Sequence, residues 1–290
     1  MISIETYLIS MLLISILAGL IGSLVGIGGG IVIVPILVLL NVPIQYAIGA
    51  SIVSVIATSS GSASAYVKDR ITNLRIGMFL EIATTTGAVL GAISTIFLIR
   101  ANLTWIVYVI FGLVLITSSL DLYRKSRLER RSLKVEINTA PNLVAEKLKL
   151  KGSYFDHVLN EQIEYEAANV FGGLGVLFCA GLISGLLGIG SGALKVLGMD
   201  TMMKLPFKVS TTTSNFMIGV TAAASTGIFY IGGYVNPIIA APVAIGVVLG
   251  SLLGTQLLLK SKPSSLRLLF IAILVILGAE MLQRGLVIKI

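Results

Sequence analysis

Apolar residues run in long unbroken blocks along this chain, over 7–25, 44–67, 76–99, 102–120, 168–187, 209–231, 237–259 and 266–283. Each approaches the roughly 20 residues that an α-helix needs to cross a hydrocarbon core of about 30 Å. Charged residues gather mostly between the blocks, above all in one polar stretch at 123–166. The blocks do not show the period-two alternation of apolar and polar residues that marks an outer-membrane barrel. The pattern predicts an all-α polytopic membrane protein. Composition points the same way: 56% of residues are hydrophobic and 12% charged, with a mean hydropathy of +1.00, whereas a soluble domain carries about 25% charged residues. Residues 1–25 show neither the basic n-region nor the small-residue cleavage site of a signal peptide, and are expected to be retained.

The blocks repeat. "AGLIGSLVGIGGG" at 18–30 returns as "AGLISGLLGIGSG" at 180–192, Pro43 with Ala47, Gly49 and Ser51 corresponds to Pro206 with Ser210, Thr212 and Ser214, and Asn73 corresponds to Asn236. "GAVLG" at 87–91 matches "GVVLG" at 246–250, and Asp121 falls opposite Glu280. The chain therefore reads as a first membrane repeat at 1–122, a basic linker at 123–166 and a second membrane repeat at 167–290, with four to five hydrophobic segments in each repeat.

Charge then orients the copies. The net charge of +8 is concentrated in the linker, through Arg124, Lys125, Arg127, Arg130, Arg131, Lys134, Lys147, Lys149 and Lys151. Beside apolar blocks, such a run marks the cytoplasmic side of a plasma membrane and anionic lipid as its neighbour, not nucleic acid. Counting outward from it, 68–75 is inside and the uncharged 41–43 outside. In the second copy Lys204 and Lys208 place their turn inside, 232–236 reads as outside and 260–267 as inside. Every equivalent loop changes sides, which predicts inverted-topology repeats with a substrate site between them.

The glycine clusters do not fit a nucleotide site. No acidic residue follows at 40–60, as a dinucleotide fingerprint requires, and no Gly-Lys-Ser/Thr follows, as a P-loop requires. The apolar run at 31–40 would rise only about 15 Å as a helix, too little to span. Gly26–Gly30 and Gly188–Gly192 are therefore expected to be breaks that precede short helices, whose free N–H groups and positive dipole ends suit an anion. Gly26, Gly28, Gly29, Gly30, Gly188, Gly190, Ser191 and Gly192 are the substrate-binding candidates. The competing role is close helix packing, which is the preferred reading for Gly246, Gly250 and Gly254.

The paired "GIGGG" and "GIGSG" loops, each followed by a short apolar run and a Pro-x-x-x-Ala/Ser-x-x-x-Ser segment ("PIQYAIGAS", "PFKVSTTTS"), resemble the TauE/SafE sulfite exporter family of membrane permeases. The likeness covers nearly the whole chain outside the linker. It implies transport of small sulfur-containing or organic anions such as sulfite, sulfonates or sulfoacetate, coupled to the proton gradient.

Polar residues inside the blocks complete the candidate site. Ser51, Ser54, Thr58 and Ser62 lie on one helical face, and Ser214, Thr221 and Ser225 repeat it with Asn215 alongside. Ser51, Thr58, Ser214 and Asn215 are candidates for donating to an anion, the alternative being hydrogen bonds between helices. Lys195 stands where the first copy has Ile33. A lysine at such depth costs about 2.5–3.5 kcal/mol on insertion scales, so it reads either as an anion ligand or as a side chain that snorkels or pairs with Asp200. Glu81 is the candidate to carry a coupling proton, or else it is hydrated near a helix end; Asp121 and Glu280 read as interfacial.

An anion channel of the same architecture is the nearer alternative function. An intramembrane hydrolase built on Ser191 is more remote, because the single histidine, His157, lies in the linker and only Lys195 is placed to serve as a base. Neither a catalytic group, a metal nor a cofactor is expected. Cys179, the only cysteine, permits no internal disulfide. Formation of a homo-oligomer is left open.

Overall fold

A computed structural model describes residues 4–25, 29–68, 72–128, 143–156, 161–258 and 263–289. In chain order it contains α1 (Ile4–Val25), α2 (Gly30–Leu39), α3 (Ile44–Lys68), α4 (Leu74–Arg100), α5 (Thr104–Leu128), α6 (Leu143–Lys147), β1 (Lys151–Asp156), β2 (Glu161–Glu166), α7 (Val170–Leu187) and α8 (Gly192–Leu197). A π-helical turn at Gly198–Met202 continues α8, and α9 (Phe207–Ile231), α10 (Pro237–Leu258) and α11 (Pro263–Lys289) follow. Each long apolar block is a helix. By length and apolarity α4, α7, residues 208–231 of α9 and residues 271–288 of α11 suffice to cross a membrane, and shorter apolar helices accompany them. Their outer faces stay bare, with Phe97 67%, Phe171 71% and Ile231 86% exposed. Lipid tolerates side chains in that state and water does not. The fold is that of an all-α polytopic membrane protein.

The main helix contacts all cross the chain's midpoint: α1 packs on α10, α4 on α7, α5 on α11 and α3 on α9. Small residues set how closely they approach. A Cβ at Gly185 would lie 1.9 Å from the Ala88 carbonyl oxygen, and one at Gly250 would lie 1.9 Å from that of Ile16. Backbones therefore touch directly along α4/α7 and α1/α10, as expected where lipid offers no hydrophobic drive and close contact must supply the attraction. Gly246 and Gly250 have the packing role that the sequence suggests for them.

Direction can be read from the same contacts. Gly246 lies against Leu12 and Gly250 against Ile16, so α1 and α10 run parallel; Gly87 against Phe178 and Gly91 against Leu182 make α4 and α7 parallel too. In contrast Gly112 meets Gly278 and Leu282 while Gly285 meets Trp105 and Val109, so α5 and α11 run antiparallel. At one end of the bundle the start of α3 meets the turn before α10: Gly49 abuts the Tyr234 carbonyl, and the Tyr46 and Tyr234 rings meet edge-on with centroids 6.1 Å apart. At the other end, the Asn73 N–H donates to Thr213 Oγ1 at 3.2 Å, beside the start of α9.

That second end carries structure that the polarity of the linker did not foretell. β1 and β2 form an antiparallel hairpin with Lys151 opposite Glu166 and Tyr154 opposite Ile163. Tyr154, Ile163 and Tyr165 turn inward against Ile76, Leu80 and Met203, while Lys147, Lys149 and Lys151 stay exposed. Asn73 holds the hairpin in place. Its Oδ1 accepts from the Ile76 N–H at 3.1 Å, capping α4, and its Nδ2 donates to Tyr165 Oη at 3.1 Å and to the Lys151 carbonyl at 3.3 Å. Burial raises the pKa of the Tyr165 phenol, against a smaller lowering by the Asn73 hydrogen bond.

Candidate functional site

The second glycine cluster interrupts a helix. α7 stops at Leu187, and Gly188 (φ 69°) and Gly190 (φ 75°) adopt left-handed backbone that glycine enters without steric cost. Ser191 shares this conformation at φ 42° despite its Cβ, and its Oγ donates to the Ala180 carbonyl at 2.6 Å, tying the break back to α7. In the first copy Gly29 precedes the ten-residue α2, which begins at Gly30. Gly26 and Gly28 lie outside the described residues.

One hydroxyl brings the start of α2 and the end of α7 together. Ser51 Oγ lies 3.2 Å from the Gly30 carbonyl oxygen and 2.8 Å from that of Gly188. Only a glycine fits at 30, because a Cβ there would sit 2.8 Å from Ser51 Oγ and 2.5 Å from a Val55 methyl. Ser214, the counterpart of Ser51, donates to the carbonyl of Gly192, the first residue of α8, at 3.0 Å. Ser51 and Ser214 thus each reach the carbonyl of the first residue of a short helix, Gly30 of α2 and Gly192 of α8.

The other stripe residues behave differently. Thr58 Oγ1 bonds back to the Ser54 and Val55 carbonyls of its own helix, at 3.0 and 3.1 Å. Asn215 is buried next to Ser214.

Lys195 is fully buried and does not snorkel. Its Nζ donates to the Met217 carbonyl at 3.2 Å and to Thr221 Oγ1, rather than to Asp200. Thr221 Oγ1 in turn lies 2.5 Å from Glu81 Oε1, which also accepts from Thr85 Oγ1 at 3.0 Å. Glu81 and Lys195 are the buried charged side chains among the described residues, and Thr221 joins them. Depth follows from the helices: Glu81 and Thr221 are each eight residues beyond the Asn73–Thr213 contact, about 12 Å at 1.5 Å per residue.

Sequence reasoning named Lys195 and Glu81 separately but missed their connection. Thr221 belongs to the polar stripe on α9, yet no spacing within one copy relates α4 of the first to α8 of the second. Ile33 stands at the equivalent of Lys195, and the stretch opposite Glu81 in the second copy, 240–244, is apolar. The charged arrangement therefore exists in only one half. Ser191 and Lys195 do not form a nucleophile–base pair, since the hydroxyl proton goes to Ala180 and the ammonium to Thr221.

The sequence matches the sulfite exporter TauE/SafE family over residues 11–281. The chain belongs to that family. It is 30% identical over 287 residues to the probable membrane transporter protein YunE of Bacillus subtilis (strain 168), covering 95% of this chain and 97% of that one. It is 26% identical over 247 residues to the probable membrane transporter protein YdhB of the same organism, covering 84% and 88%. No solved structure matches it at a significant level. As a TauE/SafE member the protein is a membrane transporter, and the broken helices and buried polar cluster lie within the matched region.

Proposed function

We propose that this protein is a secondary transporter of small sulfur-containing or organic anions, of the sulfite, sulfonate and sulfoacetate type, coupled to protons. Its substrate site lies between two inverted repeats, in a plasma membrane, with the 123–166 linker on the cytoplasmic side. The observation that carries this reading is Ser51 Oγ reaching both the Gly30 and the Gly188 carbonyl. It brings the start of α2 and the break after α7 to one place, where backbone that leaves helical geometry at membrane depth needs either protein or a watery cavity to satisfy it.

Inversion is supported by the antiparallel crossing of α5 and α11, which are equivalent helices. It is supported also by the turns: 43–49 and 232–236 share one end of the bundle, 72–75 and 203–213 the other. Lys195, one turn into α8, supplies the cation that an anion site in low dielectric requires, and Glu81 supplies a carboxylate able to take up a proton. The partners are the anion and membrane lipid, and a homo-oligomer is compatible with this arrangement. Flux into proteoliposomes across sulfite, sulfonates, sulfoacetate, sulfate and carboxylates tests the reading. Saturable, pH-driven uptake of the sulfur anions that is lost in Lys195→Ala is expected, whereas ohmic currents would make the protein a channel.

A further inference from the structure

Lys195, Thr221 and Glu81 form a chain of three groups drawn from α8, α9 and α4, with two features that a merely structural ion pair lacks. The charges meet on a shared hydroxyl instead of on each other. Glu81 Oε2 is buried and meets no hydrogen-bond partner among the described residues. A lysine ammonium has three N–H donors, of which Thr221 and Met217 take two, leaving one for a ligand. Among the described residues, the other ionisable groups on the packed elements lie toward their ends or are exposed, with Asp200 half-buried on the turn that follows α8. Along α4, Arg75 and Arg100 are exposed at the ends; α7 offers only the exposed Cys179 thiol; Lys204 and Lys208 are exposed near the start of α9; α5 bears its charges beyond residue 120.

Resting on the anion-transport reading above, we infer that the Lys195–Thr221–Glu81 chain fixes the coupling ratio at one proton per anion, so that transport of a monoanion is electroneutral. With both ends ionised the chain is neutral, and an anion that takes the Lys195 donors leaves one negative charge in excess in a low-dielectric interior. The Glu81 carboxylate removes that excess by taking one proton from bulk water at Oε2, where an O–H bond forms and no other bond changes. The proton returns to water when the anion leaves. Protonation at Oε2 leaves Oε1 free to keep accepting from Thr85 and Thr221, so the helices need not separate. Thr221 is the positioning residue: its oxygen accepts from Lys195, while its single proton can go to Glu81 Oε1 or to the Met217 carbonyl 2.8 Å away. It therefore senses at one atom whether either end has changed.

The test uses full-length protein in vesicles containing a pH-sensitive dye, with a potassium gradient and valinomycin setting the potential. Methanesulfonate is the probe because it remains a monoanion and brings no proton of its own; sulfoacetate, a dianion, is its companion. An inward methanesulfonate gradient is expected to acidify the lumen by one proton per anion at a rate that ignores the potential, and sulfoacetate to carry the same proton plus one net charge. Glu81→Gln should lose acidification and make any residual flux potential-dependent. Thr221→Val should uncouple proton from anion, and Thr221→Ser should restore the coupling. Wild-type flux without acidification, or flux of methanesulfonate driven by the potential, overturns the ratio while leaving anion transport standing. Absence of flux for methanesulfonate, sulfoacetate and sulfite alike overturns the transport reading itself. The wild-type ratio decides the matter even if a variant fails to fold.

Discussion

Ser51 Oγ reaches the Gly188 carbonyl at 2.8 Å, across 137 positions of chain, and so ties the helix break of one half to the first half's α3. Removing the donor in Ser51→Ala leaves buried carbonyls with fewer partners. A loss of about 1–3 kcal/mol is expected, the usual penalty for a stranded buried polar group, together with reduced anion uptake. Thermal unfolding in detergent measures the first and vesicle flux the second; an unchanged Tm and flux would remove this hydroxyl from the site's support.

Gly185→Ala should destabilise by roughly 1–3 kcal/mol or more, because its new methyl would sit 1.9 Å from the Ala88 carbonyl and force α7 away from α4. Gly175→Ala on the same helix is the control. It has nothing within 4 Å of an added Cβ, so loss of backbone freedom in the unfolded chain should leave it neutral or stabilised by about 0.5–1 kcal/mol. Comparing the two melting curves separates packing from helix propensity.

Lys195→Met leaves Glu81 buried without its cation, and breaking such a pair typically costs about 3–5 kcal/mol. The double variant Lys195→Met with Glu81→Gln should recover part of that loss, since the stranded charge is gone. A double-mutant cycle on unfolding reads the coupling directly. Strict additivity would mean that Thr221 does not transmit between the two.

The hairpin should loosen in alkali. Burial raises the Tyr165 phenol's pKa, so the folded state favours the protonated form. Its contribution is complete below the unfolded value of about 10 and is lost as pH rises from there through the raised folded value. Limited proteolysis between pH 8 and 11 should therefore show cleavage within β1 and β2 increasing at the top of that range. Tyr165→Phe should abolish the alkaline step and, without the Asn73 hydrogen bond, weaken docking by about 1 kcal/mol at neutral pH.

The membrane helices were legible because lipid imposes one rule on length and apolarity, and blocks such as 76–99 and 209–231 obey it without tertiary help. The short α2 was legible for a related reason, since 31–40 is too short to span, and the break at 188–191 because "GIGSG" has no other local use. What stayed hidden depends on contacts across the midpoint. Nothing along the chain announces that Ser51 finds Gly188 or that Thr221 stands between Glu81 and Lys195. Thr58 looked equivalent to Ser51 on the stripe, yet, like Ser54, it bonds to its own helix. The hairpin was masked by composition, since the surrounding lysines hid the alternation that buries Tyr154, Ile163 and Tyr165.

The pairing of α1 with α10 and of α4 with α7 has a consequence for biosynthesis. When the first 128 residues have entered the bilayer, Gly87 and Gly91 face lipid, and the partners that will close over them have yet to leave the ribosome. The early half must wait as loosely associated rods until α7 arrives, and α1 waits longer still, for α10. Split between two messages, the halves should each be short-lived alone and stabilise one another when made together.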